Sequence, residues 1–142
     1  MTKDAGISTP KLSAIALSVF MLGSVAMAHA VEVKLSGEEE VPAVRTAAIG
    51  WGKINFAADK SVNGSISTRD VNGSAAHIHL GAAGKTGPVV ITLDKIADRV
   101  WGVPSDARLT DAQYKSYEAG DLYVNVHSDK HKDGEIRGQI KP

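Results

Sequence analysis

The sequence predicts an all-β domain, an antiparallel β-sandwich or Greek-key barrel with one short helix. Three observations predict it. Short runs of alternating apolar and polar residues recur from Val31 to Ile140, the two-residue period of strands that bury one face. Glycine, asparagine and proline punctuate these runs at the short spacing of sandwiches and small barrels. Only residues 111–119 drop the alternation while lying between helix start and stop signals.

In chain order, Val31, Val33 and Leu35 alternate with Glu32 and Lys34 to give a first strand. Residues 37–42 carry Glu38, Glu39 and Glu40 ahead of Pro42 and read as an acidic loop. A long strand is expected over 47–56, turning through Ala58, Asp59 and Lys60. Residues 61–71 form the next, with Val62, Gly64, Ile66 and Thr68 on one side, and Asn72-Gly73 is a turn signal. Then follow a strand at 76–80, a glycine-rich loop at 81–87 and a strand at 88–93. Thr110 and Gln113 have the spacing of a capping box, and Gly120 is placed to end the helix. Tyr114 and Tyr117, three apart on that helix, are expected to dock on the sheet. Strands at 122–127 and 134–140 close the chain, joined by the loop 128–133.

Lys3 and Lys11, the uncharged apolar run 14–26 and Ala28-His29-Ala30 together read as a secretory signal peptide over residues 1–30. The apolar run is short for a membrane span. The expectation is therefore a secreted or periplasmic domain over 31–142, with no span left after cleavage. Ala26-Met27-Ala28 offers a second cleavage frame that would leave His29 at the new N-terminus. Cleavage after Ala30 is preferred, because strand alternation begins at Val31. The 142 residues hold 16 basic and 16 acidic side chains, a balance that gives no reason to expect nucleic acid or an anionic membrane as partner. There is no cysteine, which excludes disulfides and thiolate-based zinc or iron–sulfur sites.

The chemistry lies in His77-Ile78-His79 and in His127 at the end of Tyr123-Val124-Asn125-Val126-His127. Residues two apart on a strand share a face. His77 and His79 therefore project together, away from Ala76, Ile78 and Leu80. Tyr123, Asn125 and His127 likewise oppose Leu122, Val124 and Val126. If the two strands neighbour each other, three imidazoles converge, and His131 is placed to complete a four-coordinate site or to remain a solvated loop residue. Neutral imidazoles suit copper and zinc, copper leading on intrinsic affinity. Asp129 and Asp133 are candidates to orient the ring N–H groups or are plain surface charge. No nucleophile–base pair stands out: Ser128 is adjacent to His127 and points away from it, and no Gly-x-Ser-x-Gly elbow exists. The glycines of 81–87 lack the helix start and following lysine of a phosphate loop, so that loop reads as structural.

Several of these stretches resemble the CHRD domain, the module repeated in chordin. They are Leu35 to Pro42, Ala76 to Gly81, Gly84 to Val90, Leu122 to His127 and Gly134 to Gln139. One departure is Ala43, where that family often has a second proline. The resemblance implies an extracytoplasmic β-rich domain and places Glu40 in a recurrent motif, where it would anchor its loop against an arginine. A shorter likeness is to copper–zinc superoxide dismutase, which also has His-x-His on one strand, a later Val-His, and an arginine after the next loop. The matching positions are His77, His79, Val126-His127 and Arg137. The cysteine pair and the zinc-binding subloop are missing, so the likeness implies a mononuclear copper site at most. As a catalytic residue, Arg137 would draw a small anion such as superoxide towards the metal. In the preferred reading it pairs with Glu135 on the same strand face. The expected function is an exported protein binding one copper ion, with superoxide dismutase-like redox activity as its enzymatic form. The alternative is a copper buffer or adhesion module in which the histidines are structural.

Overall fold

Alternation sets the first strand. In the computed structural model, which describes residues 1–2 and 30–142, β1 (Ala30–Ser36) buries Val31, Val33 and Leu35 and exposes Glu32 and Lys34. The stretch read as a signal peptide falls almost wholly outside the described residues. A 3-10 turn at Gly37–Glu39 leads into a long loop and then β2 (Ile49–Phe56), which pairs antiparallel with β1 along its whole length. β3 (Val62–Arg69) returns along β2 and turns Val62, Ile66 and Thr68 inward.

β4 (Gly73–Leu80) follows, but not as the other arm of a hairpin. β3 pairs with β2 and β7 (Val100–Gly102), whereas β4 pairs with β5 (Val89–Thr92) and β8 (Leu122–Ser128). The Asn72-Gly73 step is thus a crossing between two parts of the sheet. Glycine is required there for space: a Cβ on Gly73 would lie 2.9 Å from Trp101 Cζ2 and 3.1 Å from Val126 Cγ1.

The nine strands among the described residues form one antiparallel sheet in the order β5-β4-β8-β9-β1-β2-β3-β7-β6, with β6 at Asp94–Ala97 and β9 at Ile136–Ile140. β5 and β6 stand at opposite ends of this order yet are separated in sequence only by Leu93. One extended segment therefore turns the corner and brings the sheet close to a closed barrel. Such wrapping leaves little edge backbone for water. The core lies inside the wrap, where Ile54, Ile66, Ile78, Val124, Val126, Ile136 and Ile140 are fully buried.

α1 (Asp111–Glu118) has the predicted capping box: Thr110 Oγ1 accepts from the Gln113 N–H at 3.2 Å and Gln113 Oε1 accepts from the Thr110 N–H at 2.8 Å. Gly120, at φ 78°, ends it. Tyr117 is buried and stacks on Phe56 of β2, with ring centroids 4.2 Å apart, so the helix docks on the sheet as expected. Because an eight-residue helix has little intrinsic stability, Thr110→Ala is expected to cost about 1 kcal/mol, read as a lower urea midpoint at unchanged slope.

Candidate metal centre

β4 and β8 lie side by side, and their register sets His77 opposite Asn125, His79 opposite Tyr123 and Ala75 opposite His127. Ala76, Ile78, Val124 and Val126 take the core face, all fully buried. The histidines share the other face, as alternation requires. That face is not open: Tyr123 and Asn125 are each 3 % exposed and His79 9 %. Loops 81–87 and 129–134 and the Glu40 segment lie over it.

Three imidazoles converge. One ligating nitrogen from each of His77, His79 and His127 lies within 4.8 Å of the others. Their ring centroids are 4.8 Å apart for His77 and His127, 5.4 Å for His77 and His79, and 6.1 Å for His79 and His127. The protons can be assigned from the acceptors. His79 Nδ1 lies 2.9 Å from the Gly87 carbonyl oxygen and His127 Nδ1 2.8 Å from that of Lys132. A carbonyl only accepts, so both Nδ1 atoms carry the proton and both Nε2 atoms present lone pairs. His127 Nε2 faces His77 Nδ1 at 2.9 Å. His79 Nε2 is buried and has no hydrogen-bond partner among the described residues. Fixing a ring by its far nitrogen is how proteins orient metal-ligating histidines, and a buried lone pair without a donor is what a cation would relieve.

Burial keeps His77 and His79 neutral. Burial, with repulsion from His127 and His79 adding to it, pushes His77 down to about 4. Burial also lowers His79, against the pull of the Gly87 carbonyl. Imidazoles must be deprotonated to ligate, and these two are at neutral pH.

The other sequence candidates sit elsewhere. His131 stays outside the cluster: its backbone N–H and C=O close a turn with Ser128, and its ring lies near Glu135. The acceptors that fix the ring N–H groups are the Gly87 and Lys132 carbonyls rather than the side chains of Asp129 or Asp133. Arg137 is 1 % exposed. Its guanidinium donates to the carbonyls of Lys85 (2.7 Å) and Ala82 (3.0 Å) and to Gln139 Oε1 (3.0 Å), and lies 3.5 Å over the centre of the Tyr123 ring. His79 stacks on the same ring within 3° of parallel. β4 and β9 flank β8, so His79 and Arg137 reach Tyr123 from opposite sides.

The expected Glu135–Arg137 ion pair is not formed. Glu135 sits in the bend before β9 rather than on the strand, so the period of two does not apply to it. Its carboxylate accepts from Thr46 Oγ1 at 2.7 Å and Ser128 Oγ at 2.5 Å. Burial works to raise it, but those hydrogen bonds prevail and hold it below the usual carboxylate range. The acid in the field of Arg137 is Glu40, 8 % exposed. Burial pushes it up to about 7, with Arg137 pulling the other way.

Glu40 gives a pH prediction. Its folded value lies above its value of 4.5 in an unfolded chain, so the folded state binds more protons between those two points. The stability it contributes is complete below pH 4.5 and is lost as pH rises through 7. Glu40→Gln is expected to flatten the decline in urea-derived stability between pH 5 and 8. An unchanged slope would show that Glu40 titrates like an exposed carboxylate.

Sequence reasoning passed over Tyr123 and Asn125 as site residues, although their places on the histidine face were legible from alternation. The carbonyls of Gly87 and Lys132 leave no signature in side-chain identity. No helix among the described residues is long and apolar enough to cross a membrane. A family model, the CHRD domain, matches residues 31–140. No curated protein and no solved structure matches the chain.

Proposed function

The chain belongs to the CHRD domain family, and on that premise we propose that it is an exported protein binding one copper ion through His77, His79 and His127. The observation that carries the proposal is the buried, unpartnered lone pair of His79 Nε2, set beside two further imidazoles. Two of the three rings have tautomers fixed by backbone carbonyls. His77 joins when the proton now shared with His127 Nε2 moves to its own Nε2, a tautomer change with no change in net charge. Copper stands ahead of zinc for an all-imidazole set. An extracytoplasmic address, which membership of this family and the N-terminal pattern both favour, suits a site without thiolates.

The test is a Cu(II) titration of the purified protein followed by EPR. One tight site with nitrogen hyperfine structure is expected. Weak, heterogeneous binding would leave the histidines as structural residues in an interaction module. A second expected result is thermal: copper at 100 times its Kd stabilises the fold by about 2.7 kcal/mol, raising Tm by roughly 10 °C. Export is checked by N-terminal sequencing of protein recovered outside the cytoplasm, with Val31 expected as the first residue.

Superoxide dismutation is the second reading, favoured by one observation: His77 and His127 are only partly buried, which gives solvent a side of approach. Bound there, copper would supply one-electron chemistry, converting two superoxide ions and two protons into oxygen and hydrogen peroxide. Arg137, with its guanidinium bonded to carbonyl oxygens, would contribute through its field rather than by contact. A loaded protein no faster than free buffer would leave copper buffering as the role.

A further inference from the structure

Asn125 lies at the middle of β8, on the histidine face between Tyr123 and His127, opposite His77 on one side and Arg137 on the other. It is 3 % exposed, and its Oδ1 has no hydrogen-bond partner among the described residues. The orientation of the amide follows from its surroundings. Nδ2 faces the Asp133 carbonyl at 3.5 Å and lies with Glu40 Oε1 against Gly134, where any Cβ would collide with both. The Asp133 carbonyl on that side can only accept, so the NH2 belongs there. Oδ1 is then turned away from Asp133, on the face that Asn125 shares with His77 across the β4–β8 pair.

His79 Nε2 is an acceptor as well, because its Nδ1 proton is committed to Gly87. Two buried acceptors on the histidine face thus lack a donor among the described residues, which costs about 1–3 kcal/mol for each group left unsatisfied. Turning the amide over would relieve His79 but bring Oδ1 against the Asp133 carbonyl. A cation relieves both acceptors at once.

We propose that Asn125 Oδ1 is the fourth donor of the site, so that the ion is held by three imidazole nitrogens and one amide oxygen. This rests on the copper reading above. The oxygen comes from a strand whose neighbours fix it on both sides, and its amide nitrogen donates to the Asp133 carbonyl, as an outer partner anchors a ligand. An oxygen donor beside three imidazoles leaves the site without thiolate or thioether, the ligands that favour Cu(I), and therefore biases it towards Cu(II).

The test uses the full-length protein and copper alone, with Kd from chelator competition and EPR of the bound Cu(II). Asn125→Leu removes the oxygen at similar volume, and Asn125→Asp keeps it and adds charge. In Asn125→Leu, hyperfine structure from three nitrogens is expected to persist while the parallel g and copper hyperfine values shift and affinity falls about tenfold. Asn125→Asp is expected to bind more tightly than wild type, and it serves alone if the leucine variant does not fold. Wild-type spectra and Kd in a folded Asn125→Leu protein would overturn the proposal while leaving the three-histidine site standing. A strongly coupled exchangeable deuteron in D2O, lost in that variant, would show that Asn125 holds a water instead and would overturn it too. A wild-type protein without nitrogen-coupled copper would defeat the parent reading.

Discussion

His79→Ala is expected to abolish stoichiometric copper binding, weakening affinity by more than about 100-fold. Loss of an outer partner to a ligand already costs 10–100-fold, and His79 supplies the lone pair that is buried and fixed in direction before any ion arrives. His77→Ala and His127→Ala are expected to fall in the same range, because two imidazoles at this spacing do not hold an ion as three do. His131→Ala is expected to stay within about twofold, since that ring lies outside the cluster. The His77 variant separates metal loss from misfolding most cleanly. His79 also bonds Gly87 and stacks on Tyr123, so its removal disturbs the apoprotein, whereas among the described residues the one side-chain bond of His77 is to His127. A folded His77→Ala protein that still binds one copper tightly would move the site elsewhere.

The strands and the meeting of the histidines were legible because both follow from a period of two. Ala76, Ile78, Val124 and Val126 had to share the core, and that alone sends His77, His79 and His127 to one face. Period also explains what was missed. β6 is exposed at every position, so it carries no apolar alternation, and β7 is only three residues long. Both lie in a stretch that sequence patterning left unassigned. Nor could alternation show that loops 81–87 and 129–134 cover the histidine face. Alternation put Tyr123 and Asn125 on the face away from the core without showing that they are buried. The most consequential difference concerns Arg137. Its spacing from Glu135 suggested an ion pair, yet Glu135 stands in a bend and Arg137 donates to two main-chain oxygens of a loop more than fifty residues earlier and to Gln139. Contacts between a side chain and distant backbone leave no trace in residue identity, so the arginine was visible and its task was not.

That task gives the second large effect. Arg137→Ala is expected to destabilise the protein by about 3–5 kcal/mol, the range for removing one partner from a buried charged arrangement. The carbonyls of Ala82 and Lys85 lose their donor, the Tyr123 ring loses the cation on its face, and the buried Glu40 carboxyl loses the charge that opposes its desolvation. Arg137→Lys is expected to recover less than half. An ammonium keeps the charge but cannot lie flat on tyrosine while reaching two carbonyls and an amide oxygen in a fixed fork. Urea unfolding of both variants checks this, and a loss under about 1 kcal/mol in the alanine variant would show that the loop holds without the arginine. Copper affinity then distinguishes the two parts Arg137 could play. If it only steered an anion, its removal would lower the rate of superoxide decay and leave Kd unchanged. If it acts as a positioning residue, freeing loop 81–87 frees the Gly87 carbonyl that sets the His79 tautomer, and Kd rises in the folded variant before any turnover is measured. The geometry favours the second outcome, because the guanidinium is bonded to the loop that carries Gly87 and is buried from the solvent through which an anion would come.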